Sequence, residues 1–332
     1  MTRCRLVACA AVLGAFAAGS VAQAAGPPLP SSVTDRAGAV APGGSERLVT
    51  RRAGPDTLVV AVRRGDGAFL RSRRIAGRWS VPAVTLSNGT TGLSADGRTL
   101  VLARPTRSFP APSTRLAILD ARRLVVRRQV TLPGFFTVDA ISPDGRWVYL
   151  IQYGDDVLDY RVRALDTDSG RLAARDVVDP REPDEQMGGL PMTRTVGRDG
   201  RWVYTLYGGG RETFIHALDT VGRTAACIDL DMLPPESDLS GVRLSVSGDG
   251  RRVDVRDHGR LVATVDARAF AVHEPDDPPP VQRRSAPAPA TKAGSGDASA
   301  LLLAAGALGL IAVALAMARR RARSAAIRSR SA

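Results

Sequence analysis

Residues 138–153 read VDAISPDGRWVYLIQY. The stretch divides into a strand, a tight turn and a second strand. Pro143 fixes φ, Asp144 bonds its own backbone and Gly145 tolerates positive φ, so together they reverse the chain. The segment after Arg146 is rich in aromatic and β-branched residues, the types that suit a pleated surface. A lone hairpin is marginal in water, so the fold depends on whether this pattern recurs.

It does recur. Leu93-Ser94-Ala95-Asp96-Gly97-Arg98 leads into TLVLA, Ile141-Ser142-Pro143-Asp144-Gly145-Arg146 into WVYLI, Val196-Gly197-Arg198-Asp199-Gly200-Arg201 into WVYTLY, and Val246-Ser247-Gly248-Asp249-Gly250-Arg251 into RVDVR. The aspartates stand about fifty residues apart, a spacing typical of repeat architectures. A second mark keeps the same phase: an apolar residue followed by aspartate, at Leu119-Asp120, Leu165-Asp166, Leu218-Asp219 and Val265-Asp266. Trp147 and Trp202 also coincide in phase. A closing strand, as over 124–132 or 172–178, makes four short strands per unit.

A degenerate first copy fits upstream. Gly54-Pro55-Asp56 precedes TLVVAV, and 68–86 is expected to supply two further strands. Five units then fit between Ser45 and Glu274. Four-stranded antiparallel units at this period predict an all-β fold, a β-propeller of about five blades. Each blade buries a face against the next, and ring closure protects the edges. The repeat turns are assigned to Asp56, Asp96, Gly97, Asp144, Gly145, Asp199, Gly200, Asp249 and Gly250.

The Ser-Pro-Asp-Gly step followed by an alternating strand resembles the WD40-like repeat of the PD40 or TolB type. The aspartate closing the third strand is similar to that of YVTN-type secreted propellers. Only the copy at Asp144 carries the full Ser-Pro-Asp-Gly. The later and earlier Asp-Gly copies lack the proline, and the first keeps Pro-Asp without the glycine. The resemblance covers residues 45–274 and implies a propeller. It also brings hydrolases such as lactonases into view, because YVTN-like propellers include them.

The two ends predict a location. Arg3 and Arg5, an apolar stretch over 6–18 and Ala22-Gln23-Ala24 form the three parts of a secretory signal, residues 1–24. Residues 298–318, ASALLLAAGALGLIAVALAMA, carry no charge and are long enough as a helix to span roughly 30 Å of hydrocarbon. The arginine-rich tail, 319–332, follows directly, and the positive-inside rule keeps it cytoplasmic. Residues 25–44 read as a flexible lead-in and 275–297 as a Pro-rich stalk. The expectation is a single-pass membrane protein at the cell envelope, with residues 45–274 as an ectodomain outside. A sortase signal would need an LPxTG-like motif, which Pro289-Ala290-Thr291-Lys292-Ala293-Gly294 does not provide.

Composition narrows the function. The net charge is +13, but the arginines at both ends carry much of it. The remainder reads as an ordinary solvated surface of mixed sign, not a phosphate-neutralising stripe, so no nucleic-acid partner is expected. Cys4 and Cys9 lie in the leader, leaving Cys227 alone and no disulfide framework. His216, His258 and His273 show no metal-ligand spacing, and no nucleophile elbow appears. Asp166-Thr167-Asp168-Ser169-Gly170 matches only the first half of a calcium loop, and Glu182, Asp184 and Glu185 read as a solvated loop. No catalytic, cofactor or metal site is assigned.

Phase supplies one sharper expectation. Residues five before the hairpin aspartates lie at one height on the innermost strands: Thr91, Asp139, Arg194 and Leu244. Asp139 and Arg194 fall in neighbouring units and are expected to pair beside the channel. The sequence therefore predicts a membrane-anchored propeller that binds an extracellular protein, peptide or glycan. The alternatives are a lactonase-like hydrolase and a signalling ectodomain working through a partner.

Overall fold

The computed structural model describes residues 38–40, 44–87, 89–106, 110–154, 160–184 and 187–275. They form five antiparallel sheets, each made of strands consecutive in the chain. The first holds β1 (Ala39–Val40), β2 (Glu46–Ala53), β3 (Asp56–Arg63) and β4 (Phe69–Ile75). The second holds β5 (Thr99–Ala103), β6 (Ser113–Asp120) and β7 (Val125–Pro133), and the third β8 (Phe135–Ile141), β9 (Trp147–Tyr153) and β10 (Tyr160–Asp166). The fourth holds β11 (Leu190–Val196), β12 (Trp202–Gly208), β13 (Phe214–Asp219) and β14 (Thr224–Asp229). The fifth holds β15 (Val242–Val246), β16 (Arg252–Asp257), β17 (Arg260–Asp266) and β18 (Val272–His273).

The two three-stranded sheets have their missing strand in fragments. Leu93 bridges Leu100 and Ser80 bridges Ala103 beside β5, while Val177 and Leu172 bridge Val162 and Leu165 outside β10. Successive sheets pack face to face, because alternation along each strand gives it two faces and both are apolar in the middle of the array. Leu48, Val59 and Ala61 of the first sheet meet Leu100, Leu102 and Leu119 of the second. Ile118 and Val130 meet Val148 and Leu165 of the third. Tyr149 and Val162 meet Val203 and Leu218 of the fourth, and Leu206 and Ile215 meet Val253 and Val265 of the fifth. This serial stacking of four-stranded antiparallel sheets is the β-propeller arrangement.

Ahead of β5 the chain reaches the first strands of other sheets. Residues 80–92 leave the inner side of β5 as a small hairpin in which Ala83 pairs with Thr90. Val81, Ala83, Val84 and Thr85 in it are buried. At its tip the Leu86 and Ser87 amides donate to the Pro191 and Met192 carbonyls of β11, at 2.9 and 3.1 Å. On its flank Thr90 Oγ1 donates to the Gly38 carbonyl at 2.7 Å. One insertion thus ties together the inner strands of the first, second and fourth sheets.

Two features depart from the sequence reading. Residues 68–86 give only one strand of the first sheet, β4, and then enter the inserted hairpin. The inner strand of that sheet comes instead from Ala39–Val40, paired with Leu48 and Arg47, inside the stretch expected to be lead-in. A strand of two residues carries no periodicity, so composition alone could not mark it. Among the described residues no helix is long and apolar enough to cross a membrane. The leader, the apolar run 298–318, the tail and all of the stalk after Pro275 lie outside the described residues.

Candidate functional site

The repeat aspartates lie in turns with a shared geometry. In the copies at Asp96, Asp144 and Asp249 the serine two residues earlier donates to Asp Oδ1 at 2.6 Å, and that oxygen accepts the amide of Arg98, Arg146 or Arg251. Asp199 keeps only the bond from the Arg201 amide, because Gly197 replaces the serine. Gly97, Gly145, Gly200 and Gly250 all adopt positive φ, between 67 and 73°. Asp56 is different. It pairs with Ala53 across a two-residue Gly54-Pro55 loop, and its Oδ1 accepts the Gly77 amide at 3.1 Å. The second mark is a cap: Oδ1 of Asp120, Asp166, Asp219 and Asp266 each accepts two amides, two and three residues on. The last residue of each of these turns has positive φ, namely Leu124, Gly170, Arg223 and Phe270. The hairpin and capping carboxylates each shape a turn.

The turn tips of three sheets meet. The Asp96 amide donates to the Pro143 carbonyl at 2.9 Å. A Cβ on Gly145 would lie 2.5 Å from Thr99 Cβ, and one on Gly200 would lie 2.6 Å from Ala95 Cβ.

Asp139 and Arg194 come together as phase predicts, and the bonding has an unexpected form. Asp139 occupies a β-bulge in β8, between the Val138–Leu150 and Ala140–Tyr149 pairs. A bulge leaves one residue outside the ladder and re-aims its groups. The Arg194 Nη1 donates to the Asp139 carbonyl at 2.6 Å and lies 3.6 Å from Asp139 Oδ1. Both side chains are buried, at 7% and 4% exposure. Asp139 Oδ2 and Arg194 Nε have no hydrogen-bond partner among the described residues.

Arg194 opens a row across the fourth sheet. Arg194 pairs with Thr205, Thr205 with His216, and His216 with Cys227, so all four side chains share the face toward the third sheet. His216 is fully buried and neither ring nitrogen has a partner among the described residues. Burial pushes its pKa below the usual histidine value, while Asp139 and Asp179 oppose that shift. Tyr207 stacks on Tyr160 and on Phe214 at 5.4 and 5.3 Å, and meets His216 edge-on at 6.2 Å. Burial raises the phenols of Tyr153, Tyr160 and Tyr207. The sequence pointed to His216 only as a strand residue; its place in a row with Arg194 and Thr205 needs the cross-strand register.

Outside this row the junction is open. Its outer side holds a groove of about 430 Å³. The walls include Arg175, Asp176, Pro180, Arg223 and Thr224. Arg223, held at φ 58°, lays its guanidinium over Trp147 at 4.6 Å. Arg163 Nε lies 2.9 Å from Asp176. Beneath the groove Asp179 accepts the Cys227 amide at 3.0 Å and Arg181 donates to the Cys227 carbonyl at 3.1 Å, so side chains satisfy part of the outer edge of β14. His258 is exposed against Asp257, and His273 is exposed on β18. Among the described residues no three metal-ligating side chains converge.

No protein-family model matches the chain, and no curated protein matches it in sequence. Solved structures resemble it in architecture. The chain is similar to hydrazine synthase of Kuenenia stuttgartiensis, with TM-score 0.45 and 14% identity, covering 78% of this chain and 69% of that one. It is similar to TolB from Acinetobacter baumannii, with TM-score 0.41 and 14% identity over 70% of this chain and 52% of that one. It thus spans about half of that TolB chain. The β-propeller domain of Swd1 from Myceliophteria thermophila matches with TM-score 0.41 and 13% identity, over 68% of this chain and 64% of that domain. The neighbours include TolB-type and WD40 β-propellers, and at these identities the likeness concerns architecture alone.

Proposed function

We propose that this chain is a recognition module: a propeller whose five sheets are its five blades, held outside the cell membrane by the expected leader and C-terminal span. Its ligand is an extracellular protein, peptide or glycan segment seated in the groove between the third and fourth sheets. One observation carries this reading. The hairpin ahead of β5 bonds to the first strands of the first and fourth sheets, where side chains from several blades would otherwise converge on a substrate. Asp139 and Arg194 are buried against one another, and His216 is buried in the same row. The groove is open, and Arg175, Asp176, Arg223 and Thr224 stand beside an apolar floor of Ala164, Ala173 and Val177. That combination suits orientation-specific binding.

The test places a photo-crosslinking residue at Ala174, inside the groove, with a control at Arg243 on the fifth sheet. Specific crosslinking at 174, abolished by the groove-filling change Thr224→Trp, is the expected result. Turnover of a lactone or ester panel by the full chain would replace recognition with catalysis. Protease protection of the tail, with the propeller accessible from outside, checks the topology separately.

A further inference from the structure

We propose that the outer rim of the first and second sheets docks on an anionic lipid surface. This inference does not depend on the groove or on the C-terminal span. Strand β4 reads FLRSRRI and forms the outer edge of its sheet. Phe69 is 65% exposed and Leu70 38%. Leu70 is the extra residue of a bulge between the Ala61–Arg71 and Val62–Phe69 pairs. Ser72, Arg73 and Arg74 follow, all exposed.

The neighbouring sheet adds to the same rim. Arg71 Nη2 donates to the Ala121 carbonyl at 3.2 Å, tying β4 to the turn that carries the exposed Arg122 and Arg123. Carboxylates offset only part of this charge. Glu46 takes Arg71 in a two-point contact at 2.9 and 2.6 Å, and Asp56 reaches Arg74 only at 3.9 Å. Asp120 spends Oδ1 on the Arg122 and Arg123 amides. Among the described residues Arg73, Arg122 and Arg123 enter no ion pair. The fold sets the arginines of β4 beside the turn that carries Arg122 and Arg123.

Arginine on an edge strand also prevents edge-to-edge pairing, and that function alone would explain Arg73 and Arg74. It does not explain why two adjacent large apolar side chains are exposed on the same edge, where they invite aggregation. A soluble polyanion would use the arginines and leave Phe69 and Leu70 idle. A second copy pairing along β4 would bring arginine against arginine. A bilayer interface uses both sets: apolar side chains enter the headgroup boundary and guanidinium groups meet lipid phosphates.

The full chain carrying Phe69→Trp is mixed with phosphatidylcholine vesicles, with and without phosphatidylglycerol, each containing lipid brominated near the headgroup. The unsubstituted chain serves as the background for Trp79, Trp147 and Trp202. Fluorescence from position 69 is expected to be quenched in the anionic vesicles only, and to recover in high salt. Adding Arg73→Gln, Arg122→Gln and Arg123→Gln should weaken the quenched state about fivefold per charge. These side chains are exposed, so an unchanged urea midpoint confirms folding. Absent quenching, equal quenching in both vesicles, or a concentration-dependent dimer through β4 would overturn the proposal. Vesicle association that survives high salt reports the expected C-terminal span, so the two readings fail separately.

Discussion

Arg194 reaches Asp139 through the backbone carbonyl first, at 2.6 Å, and through the carboxylate second, at 3.6 Å. The two substitutions should therefore differ. Asp139→Ala leaves Arg194 its carbonyl partner, whereas Arg194→Ala leaves a buried carboxylate with no countercharge beside it. Breaking a buried pair by removing one member costs roughly 3–5 kcal/mol. Arg194→Ala should fall in that range and Asp139→Ala below it. Urea unfolding of both single variants and the double variant measures the coupling, expected at about 1–3 kcal/mol.

The turn glycines provide a second contrast. Gly145, Gly200 and Gly250 share nearly the same φ, 71–73°. A Cβ at Gly250 meets nothing within 4 Å, while at Gly145 and Gly200 it would collide with Thr99 and Ala95. Gly250→Ala should therefore cost only the left-handed backbone penalty, about 1–2 kcal/mol. Gly145→Ala and Gly200→Ala should cost more and loosen the meeting of three sheets. Thermal unfolding of the three variants checks the order, which equal shifts would refute.

Asp219 joins two roles. It caps its turn through the Val221 and Gly222 amides and holds Arg201 at 2.7 Å. Asp219→Ala removes both, and loss of a comparable cap costs about 1–2 kcal/mol. Asp219→Asn keeps an oxygen for the two amides and should recover most of the loss, because Arg201 is half exposed and its ion pair is worth little in water. If the asparagine variant unfolds as easily as the alanine variant, the ion pair dominates.

These contrasts also show what could be read from residues alone. The turns were legible because their chemistry is local: Ser142, Asp144 and Gly145 make their bonds within a few residues. The Asp139–Arg194 meeting was legible through phase, since equivalent positions in successive repeats share a height. The bulge that turns the Asp139 carbonyl toward Arg194 leaves no sequence mark. The inserted hairpin was hidden for a different reason. Its tip bonds to Pro191 and Met192, about a hundred residues away, and such pairing has no local signature. The arginine rim was missed because net charge was averaged over the whole chain, whereas the fold sets β4 beside the turn after Asp120.

His216 gives the last prediction, an acid sensitivity with a definite sign. Burial holds its folded pKa below the unfolded value of 6.5, so the native ring stays neutral where the unfolded ring takes up a proton. Above pH 6.5 both states are neutral and His216 adds no pH dependence. As pH falls below 6.5 the unfolded state binds the extra proton, and stability declines until the folded pKa is reached. The capping carboxylates act in a lower window. Backbone amides lower the pKa of Asp120 and Asp166 below 3.8, so the stability they add is lost only as pH falls below that value. Urea midpoints measured from pH 7.5 down to 5, compared between the native chain and a His216 variant, therefore report the histidine. The native chain should lose stability across that interval, and His216→Gln, whatever its baseline, should lose distinctly less. Parallel slopes for the two proteins would mean that the ring is solvated or partnered in solution, and would remove His216 from the buried row with Arg194 and Thr205.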